Sequence, residues 1–208
     1  MLCRRINSVQ SVDIHRMNRQ QAWDILTEHV KNESLRRHCI AVESAMIHFA
    51  RLGGHDEETW SVTGLLHDFD YELFPNPPDH TREGAKILKE RGVPDEVIDA
   101  ILSHADWNLD THPRNTPLRK TLFAVDELCG FIHAVARLRP GKLDGLSAKS
   151  VKKKMKQASF AAAVSRQDII DGAALLEIEL DELINHCVQA LTTVADELDL
   201  QAESDSAD

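Results

Sequence analysis

Apolar residues recur at helical spacing along most of the chain. After Asn32, for example, they are four or three positions apart, at Leu35, Cys39, Val42, Met46 and Phe49. This spacing puts the side chains on one face of an α-helix, the face that packs into a core. No stretch carries a convincing strand pattern. The periodicity therefore predicts an all-α protein.

Residues that start or interrupt helices divide the chain into segments. Asn18 and Asn32 are suited to cap helix N-termini. The proline-rich segment 72–80 and the polar segment 105–117 predict loops. The predicted helices are 19–30, a second from Asn32 to about residue 52, 57–67, 81–91, one beginning at Pro94, 118–139, a short one capped by Ser147, one opening at Ser165, and 181–198.

The length and composition suit one domain with a sizeable core. The chain has 208 residues, of which 42% are hydrophobic. We expect residues 1–17 to be a flexible extension and residues 18–198 to form the domain. Residues 199–208 are small and acidic, which predicts a disordered tail. Translation from Met1 and translation from Met17 are both compatible with this division.

The charge of the chain excludes two classes of partner. A formal net charge of -10 makes nucleic-acid polymers and anionic membranes unfavourable partners. No stretch has the length and apolarity of a membrane span, and the N-terminus lacks a signal-peptide core. The cysteines form no paired motif, which indicates reduced thiols in a cytoplasmic protein. They are Cys3, Cys39, Cys129 and Cys187.

The candidate chemistry centres on His67 and Asp68, which end an apolar run in the third predicted helix. Imidazole and carboxylate together suit a divalent metal ion, but two adjacent ligands cannot hold one alone. The chain offers further ligand-type residues in or beside other predicted helices, namely His38, His80, His104 and Asp126. Ligands from facing helices are typical of a metal site in the core of a helical bundle.

Each of these residues also has a simpler interpretation. For His38, on the flank of an apolar stripe, the alternative is a core histidine bonded to a backbone carbonyl. For His80 the alternative is an exposed loop residue, whereas His104 continues an apolar stripe and is expected to be buried. Asp126 is costly to bury unless it binds a metal or pairs with a basic side chain. The ordered occurrence of all of them favours a ligand set.

The order of these residues resembles the HD-domain superfamily of metal-dependent phosphohydrolases. The match comprises His38, His67, Asp68 and Asp126, and the two other histidines fall where binuclear members carry ligands for a second metal. Three stretches, HDFDYE at 67–72, FAVDEL at 123–128 and KSVKKK at 149–154, are similar to a bacterial subfamily of small HD hydrolases. The resemblance implies a single all-α HD-domain helical bundle with the metal site in its core.

The resemblance also implies the chemistry. The expected reaction is hydrolysis of a small phosphate ester or nucleotide by a metal-activated water, with His67 and Asp68 as catalytic residues. If His80 and His104 hold a second ion, Asp68 is the natural bridge between the two. Four protein ligands on one ion leave open positions only in a five- or six-coordinate geometry. This favours one or two ions of Mn, Fe, Co or Mg over Zn.

Residues beside the ligands are expected to support them. These residues are Asp70, Tyr71 and Glu127. Asp70 is suited either to fix a ligand histidine by a hydrogen bond or to cap a turn. Glu127 is suited either to support the ligands or to face solvent.

A lysine cluster on the short seventh predicted helix stands out in an acidic chain. Lys149, Lys152 and Lys153 are candidates for binding a substrate phosphate, and a solvated charged face is the alternative. The expected partner is therefore a small phosphorylated molecule, and a homodimer is left open.

Two other functions are compatible with the same residues. Some HD proteins with these six ligand types hold a mixed-valence di-iron centre and use oxygen on small organic substrates, so an oxygenase is the alternative function. The third hypothesis is a non-catalytic metal-bound sensor. The full set of ligand-type residues argues against it, because a site without catalysis does not need six inward polar groups. Hydrolysis is commoner in the superfamily and is the preferred hypothesis.

Overall fold

A computed structural model describes residues 17–202 of the chain. Within this range the regular elements are nine α-helices and one 3₁₀ turn, without a strand, so the all-α prediction is confirmed. The helices are α1 (Arg19–His29), α2 (Glu33–Gly53), α3 (Glu57–Leu66), α4 (Asp79–Glu90), α5 (Asp95–His104), α6 (Pro117–Arg137), α7 (Ala148–Met155), α8 (Arg166–Leu175) and α9 (Leu180–Thr192), with the 3₁₀ turn at Asp106–Asn108.

The first two helices begin at their predicted caps. The side chain of Asn18 accepts a hydrogen bond from the backbone N–H of Gln21, and the side chain of Gln21 accepts one from the backbone N–H of Asn18. The side chain of Asn32 accepts from the backbone N–H groups of Ser34 and Leu35 at 2.8 and 3.2 Å. These bonds satisfy amides that a helix leaves unpaired, and so they fix where α1 and α2 begin.

Two helices of 21 residues, α2 and α6, pack against each other and carry much of the core. α2 also contacts α3 and α9, and α6 also contacts α5 and α8. α3 approaches α2 closely at Gly64, where a Cβ atom would lie 2.7 Å from the Cα of Glu43. The absence of a side chain at Gly64 therefore allows the end of α3 to lie directly against α2.

The last helix is shorter than predicted. α9 ends at Thr192, whereas the apolar pattern predicted a helix as far as residue 198. The hydroxyls of Thr192 and Thr193 each donate to a carbonyl of the preceding turn at 2.7 Å, and such bonds compete with the helical ladder. The chain then continues in turns, and Leu198 and Leu200 are both buried. The packed part of the chain thus extends beyond the predicted boundary at 198.

Both chain ends extend past the described residues. Residues 1–16 of the expected flexible extension, with the alternative start at Met1, lie there, and so do residues 203–208 of the expected tail. Met17 is described, and its side chain packs against the core.

The described cysteines and helices bear on two of the expectations from composition. Cys39, Cys129 and Cys187 are buried and free, while Cys3 lies outside the described residues. Between residues 17 and 202, no helix combines the length and the apolar character that crossing a bilayer requires.

Candidate metal centre and its cavity

α3 carries His67 and Asp68 into the core. The helix ends in buried apolar residues, and His67, which follows them, is fully buried. The Nδ1–H of His67 donates to the carbonyl of Gly64 at 2.8 Å. The Nε2 atom, on the other side of the ring, is therefore the one available to a metal ion.

His67 meets two ligand-type residues from other helices, and we call the three the first group. The Nε2 of His67 lies 3.1 Å from the Nε2 of His38 on α2 and 3.4 Å from the Oδ1 of Asp126 on α6. The Nε2 of His38 is 3.1 Å from the same oxygen of Asp126. Ligand atoms about 2.1 Å from a common ion are about 3 Å apart at octahedral angles. The spacing therefore fits one divalent ion.

Asp68, His80 and His104 form the second group. The Oδ1 of Asp68 lies 3.3 Å from the Nε2 of His80 and 3.5 Å from the Nε2 of His104. The His80 side chain is only 6% exposed, so it is not an exposed loop histidine. The Nδ1–H of His104 donates to the carbonyl of Ile101 at 2.6 Å, which leaves its Nε2 facing Asp68. The three ligand atoms lie within 4.8 Å of one another and could hold a second ion.

Asp68, a member of the second group, also faces the first group. Its Oδ2 is 3.7 Å from the Nε2 of His38 and 3.6 Å from the Nε2 of His67, while its Oδ1 faces the second group. A single carboxylate thus presents one oxygen to each group. Imidazole nitrogens and carboxylate oxygens are ligands that Mn, Fe and Co accept readily, so the donor set fits the expected ions.

The ligand pattern lies inside a match that spans most of the chain. The family model described as HD domain matches residues 35–199. The chain belongs to the HD-domain family. Membership points to a metal-dependent hydrolase in general, since HD domains bind divalent metals. A search of the curated proteins and a search of the solved structures returned no match.

In this HD domain Asp70 makes both kinds of hydrogen bond considered for it, one to a histidine and others to the start of a helix. Its Oδ1 accepts from the Nδ1–H of His80 at 2.9 Å, so the Nε2 of His80 faces Asp68. Its Oδ2 accepts from the backbone N–H groups of Thr81 and Gly84 at 2.8 and 3.1 Å. Asp70 therefore orients a ligand-type histidine and caps the start of α4 at the same time.

The start of α4 differs from the prediction. The helix begins at Asp79, two residues before the predicted start, and its backbone is interrupted at His80 and Thr81. Thr81 adopts a left-handed conformation with φ 69°, which is strained for a β-branched residue. Asn108 donates to the Thr81 hydroxyl at 2.9 Å and helps to hold this conformation. Sequence periodicity carries no sign of such a break.

Arg114 holds the end of α5 and was not predicted as a site residue. Its guanidinium donates to the carbonyls of Ser103 and His104 at 2.9 and 2.6 Å and pairs with Asp106 at 2.7 Å. It also stacks 3.5 Å from the centroid of the Phe123 ring. Its partners are mostly backbone carbonyls on another element, and no sequence spacing marks such bonds.

The ligand-type residues form a network of opposite charges. Burial disfavours the charged form of His67, but the carboxylates of Asp68 and Asp126 outweigh burial and raise its pKa to about 9. Burial also opposes the charge of His80, and Asp68 and Asp70 outweigh it, which raises its pKa to about 9. In turn, despite their burial, the neighbouring histidines hold the pKa values of Asp68 and Asp126 well below the usual range. Without a metal, imidazolium and carboxylate groups neutralise one another.

A cavity of ≈ 390 Å³ opens on both groups. It is lined by every ligand-type residue except His67, which lies beneath the others. Tyr71 and Trp107 also line it, and both rings meet the ring of His80, with centroids 5.1 and 6.0 Å away. Aromatic rings therefore cover the open side of the second group.

Glu127 lines the same cavity, as expected for a residue beside the ligands. It is partly buried, and its Oε2 accepts from the backbone N–H of Ser165 at 3.2 Å. Burial and the charges of Asp126 and Asp168 raise its pKa to about 7, against the effect of that hydrogen bond. Glu127 thus faces the cavity and not open solvent.

The structure does not bring the predicted lysines to this cavity. Lys149, Lys152 and Lys153 are absent from its described lining. Val151 forms part of the buried face of α7, which turns the lysines outward. Lys149 and Lys153 are exposed, and Lys152 pairs with Asp181 on α9. This placement fits the alternative of a solvated charged face.

Proposed function

We propose that the protein is a phosphohydrolase that releases phosphate from a small phosphate ester with the help of two divalent ions. The observation that carries the proposal is the position of Asp68, which presents one carboxylate oxygen to each histidine group. Its two neighbouring groups supply the remaining five ligands. The cavity above them has the volume of a small-molecule site.

Each side chain has a role in this proposal. The first group would hold one ion and the second group the other, with Asp68 shared by both. Divalent ions in such a site lower the pKa of a bound water and neutralise charge on a phosphoryl group. The Gly64 carbonyl orients the ring of His67, and Asp70 orients the ring of His80. Tyr71 and Trp107 shield His80 from bulk water.

Metal analysis together with an assay of phosphate release tests the proposal. Protein purified without oxygen and without a metal-affinity tag should contain about two ions per chain by mass spectrometry, since the two groups offer two sites. The ions we expect are Mn, Fe, Co or Mg. Phosphate should be released from at least one member of a panel of phosphate esters.

Asp68→Asn is the decisive variant. We expect it to lower the metal content and to reduce phosphate release by more than about 100-fold, because both groups lose a charged ligand. Asp24→Asn, on the exposed face of α1, is the matched control and should change neither quantity. Normal metal content in a folded Asp68→Asn protein would contradict the site.

The oxygenase alternative gives a different result in the same experiments. Two irons per chain, with oxygen consumed and no phosphate released, would replace hydrolysis by oxygenase chemistry. Ligand binding without any turnover would indicate a sensor.

A further inference from the structure

A second cavity adjoins the first one. It has a volume of ≈ 490 Å³, and its lining includes Asn32, Ser34, Leu35, Glu72 and Pro75. Two residues, His38 and Tyr71, line both cavities, so these side chains form the boundary between them. Tyr71 is 45% exposed, and a molecule that occupied both cavities would pass across its ring.

Neither cavity has a lysine or arginine in its lining, as far as the described residues show. Arginines near the cavities bond to other groups: Arg82 donates to Asn108 and to the carbonyl of Trp107, and Arg36 donates to the carbonyl of Val30 and to Glu33. Arg114 stacks on Phe123 and bonds to carbonyls at the end of α5. Arg166 bonds to the carbonyls of residues 160, 161 and 164, and its guanidinium lies over the ring of Phe131. Bound metal ions would thus be the main attraction for a phosphate group.

The wall beyond the first group carries two acidic side chains. Glu127 on α6 and Asp168 on α8 both line the first cavity. Ser165 caps α8 with its hydroxyl, which accepts from the backbone N–H of Asp168 at 3.2 Å. The backbone N–H of Ser165 donates to Glu127, so the carboxylate of Asp168 takes no part in a capping box. Within residues 17–202, neither carboxylate forms an ion pair with a lysine or arginine.

The second cavity suits an uncharged or hydroxyl-bearing group. Leu35, Pro75 and the ring of Tyr71 provide apolar contact. Ser34 provides a hydroxyl. Glu72 is held in place because its Oε2 accepts from the backbone N–H groups of Lys31 and Asn32 at 2.8 and 3.1 Å. The backbone bonds and the nearby charges of Arg36 and Lys31 lower the pKa of Glu72, so this end of the cavity holds a stabilised carboxylate whose charge is partly balanced.

From these observations we propose that the substrate carries a single phosphate on an uncharged or cationic alcohol, and that the alcohol part extends past Tyr71 into the second cavity. The proposal rests on the proposed phosphohydrolase function and narrows its substrate. Nucleoside diphosphates and triphosphates are disfavoured, because no lysine or arginine lines either cavity to receive additional phosphates, and Asp168 adds a carboxylate to the lining of the first. Sugar monophosphates, nucleoside monophosphates and phosphorylated amino alcohols all belong to the permitted class.

Binding of simple anions tests the charge argument without relying on turnover. Inorganic phosphate and tripolyphosphate are titrated into the metal-loaded protein by calorimetry, and the metal content is measured afterwards to exclude extraction of the ions. We expect phosphate to bind at least about 10-fold more tightly than tripolyphosphate, and Asp168→Asn to reduce that preference. Tighter binding of tripolyphosphate, or a preference that is the same in Asp168→Asn, would overturn the proposal. Neither of these contradicting results bears on the proposed phosphohydrolase function, which is tested separately by phosphate release.

Substitution of Ser34 tests the second cavity. Ser34→Trp fills it, and we expect the KM for a nucleoside monophosphate to rise at least about 10-fold relative to the KM for methyl phosphate. Gln20→Trp places the same side chain on the exposed face of α1 and is the matched control. If the KM ratio is the same in Ser34→Trp and in the control, the alcohol part does not enter this cavity. If neither ester is turned over, the affinities of the nucleoside monophosphate and of methyl phosphate are measured by their competition with bound inorganic phosphate. The ratio of these affinities in Ser34→Trp and in the control then replaces the KM ratio.

Discussion

Asp70 connects the candidate metal centre to the start of α4 through one carboxylate. Its Oδ1 orients His80, and its Oδ2 receives two backbone N–H groups that open the helix. The side chain is only 1% exposed, so water cannot replace these bonds. A substitution at Asp70 should therefore affect the second group while the first group, held by other helices, stays in place.

We expect Asp70→Asn to weaken binding of the ion in the second group by about 10- to 100-fold, because an amide has one acceptor oxygen where the carboxylate has two. A metal titration followed by mass spectrometry should show one ion bound normally and one bound weakly. Asp79→Asn, exposed at the start of the same helix, is the matched control. Equal weakening of both ions by Asp70→Asn would show that Asp70 does not act on the second group.

At the residue scale the sequence pointed to the ligand-type side chains but not to the bonds that support them. His38, His80 and His104 stand out in sequence because each is a metal-ligand type beside an apolar pattern, and the structure places all three at the cavity. Arg114 was missed because its partners are carbonyls that only the folded backbone brings near. The lysines of α7 lie outside the lining of the cavity, because their charge was visible in the sequence but the direction of their helix face was not.

Helix packing at Gly64 positions the residues that follow it. An added Cβ atom would meet the backbone of Glu43 at 2.7 Å, and backbone atoms cannot move aside as a flexible side chain does. Gly130, in the middle of α6, is different. A Cβ atom added at Gly130 would have the Nδ1 of His38 as its nearest neighbour, at 3.6 Å, which is an ordinary contact distance.

We expect Gly64→Ala to lower the free energy of unfolding by about 1–3 kcal/mol, because overpacking forces α3 away from α2. Gly130→Ala makes the same chemical change without the close contact and should be neutral or stabilising by up to about 1 kcal/mol. Denaturant unfolding of both variants in the metal-free state measures the difference. Equal stability of the two variants would show that α3 and α2 are not in close contact at Gly64.

Elements with a clear apolar period were predicted well, and their irregular ends were not. α2 and α6 lie close to the stretches that the pattern indicated. The interruption at Thr81 depends on Asp70 and Asn108, which are distant in sequence, and a local pattern contains no trace of them. The early end of α9 depends on threonine hydroxyls that bond within the helix.

Protons and metal ions compete for the same histidine ring nitrogens, and this competition affects the stability of the whole molecule. The pKa values of His67 and His80 are about 9 in the folded protein, above the ordinary value of 6.5. Their contribution to stability is therefore complete below about pH 6.5 and is lost as the pH rises through about 9. A metal ion binds only a deprotonated ring nitrogen, so metal binding must displace these protons.

We expect the metal-free protein to lose stability between about pH 6.5 and pH 9, while the apparent metal affinity rises by up to about tenfold per pH unit for each ion. Thermal unfolding of metal-free and metal-loaded protein over this range measures both effects. Calorimetry in buffers of different ionisation enthalpy measures the protons released on metal binding. A metal affinity independent of pH would show that neither histidine is protonated before the ion binds.

For the molecule as a whole, the fold class and the family were accessible from the sequence because the ligand order and the helical period extend over most of the chain. The end of the packed region was not accessible from the sequence, because Leu198 and Leu200 are buried in turns, where apolar residues do not recur at a regular spacing. The substrate class proposed above was not accessible either, since that proposal rests on which charged side chains line the two cavities.

The ligands of the first group are far apart in the chain. His38 and Asp126 are separated by 88 positions, and they come together only when α2 and α6 have docked. A growing polypeptide on the ribosome therefore has no complete first site until the segment with Asp126 has left the exit tunnel. If the first group binds an ion, that ion can therefore be bound by all three side chains only after α2 and α6 have docked.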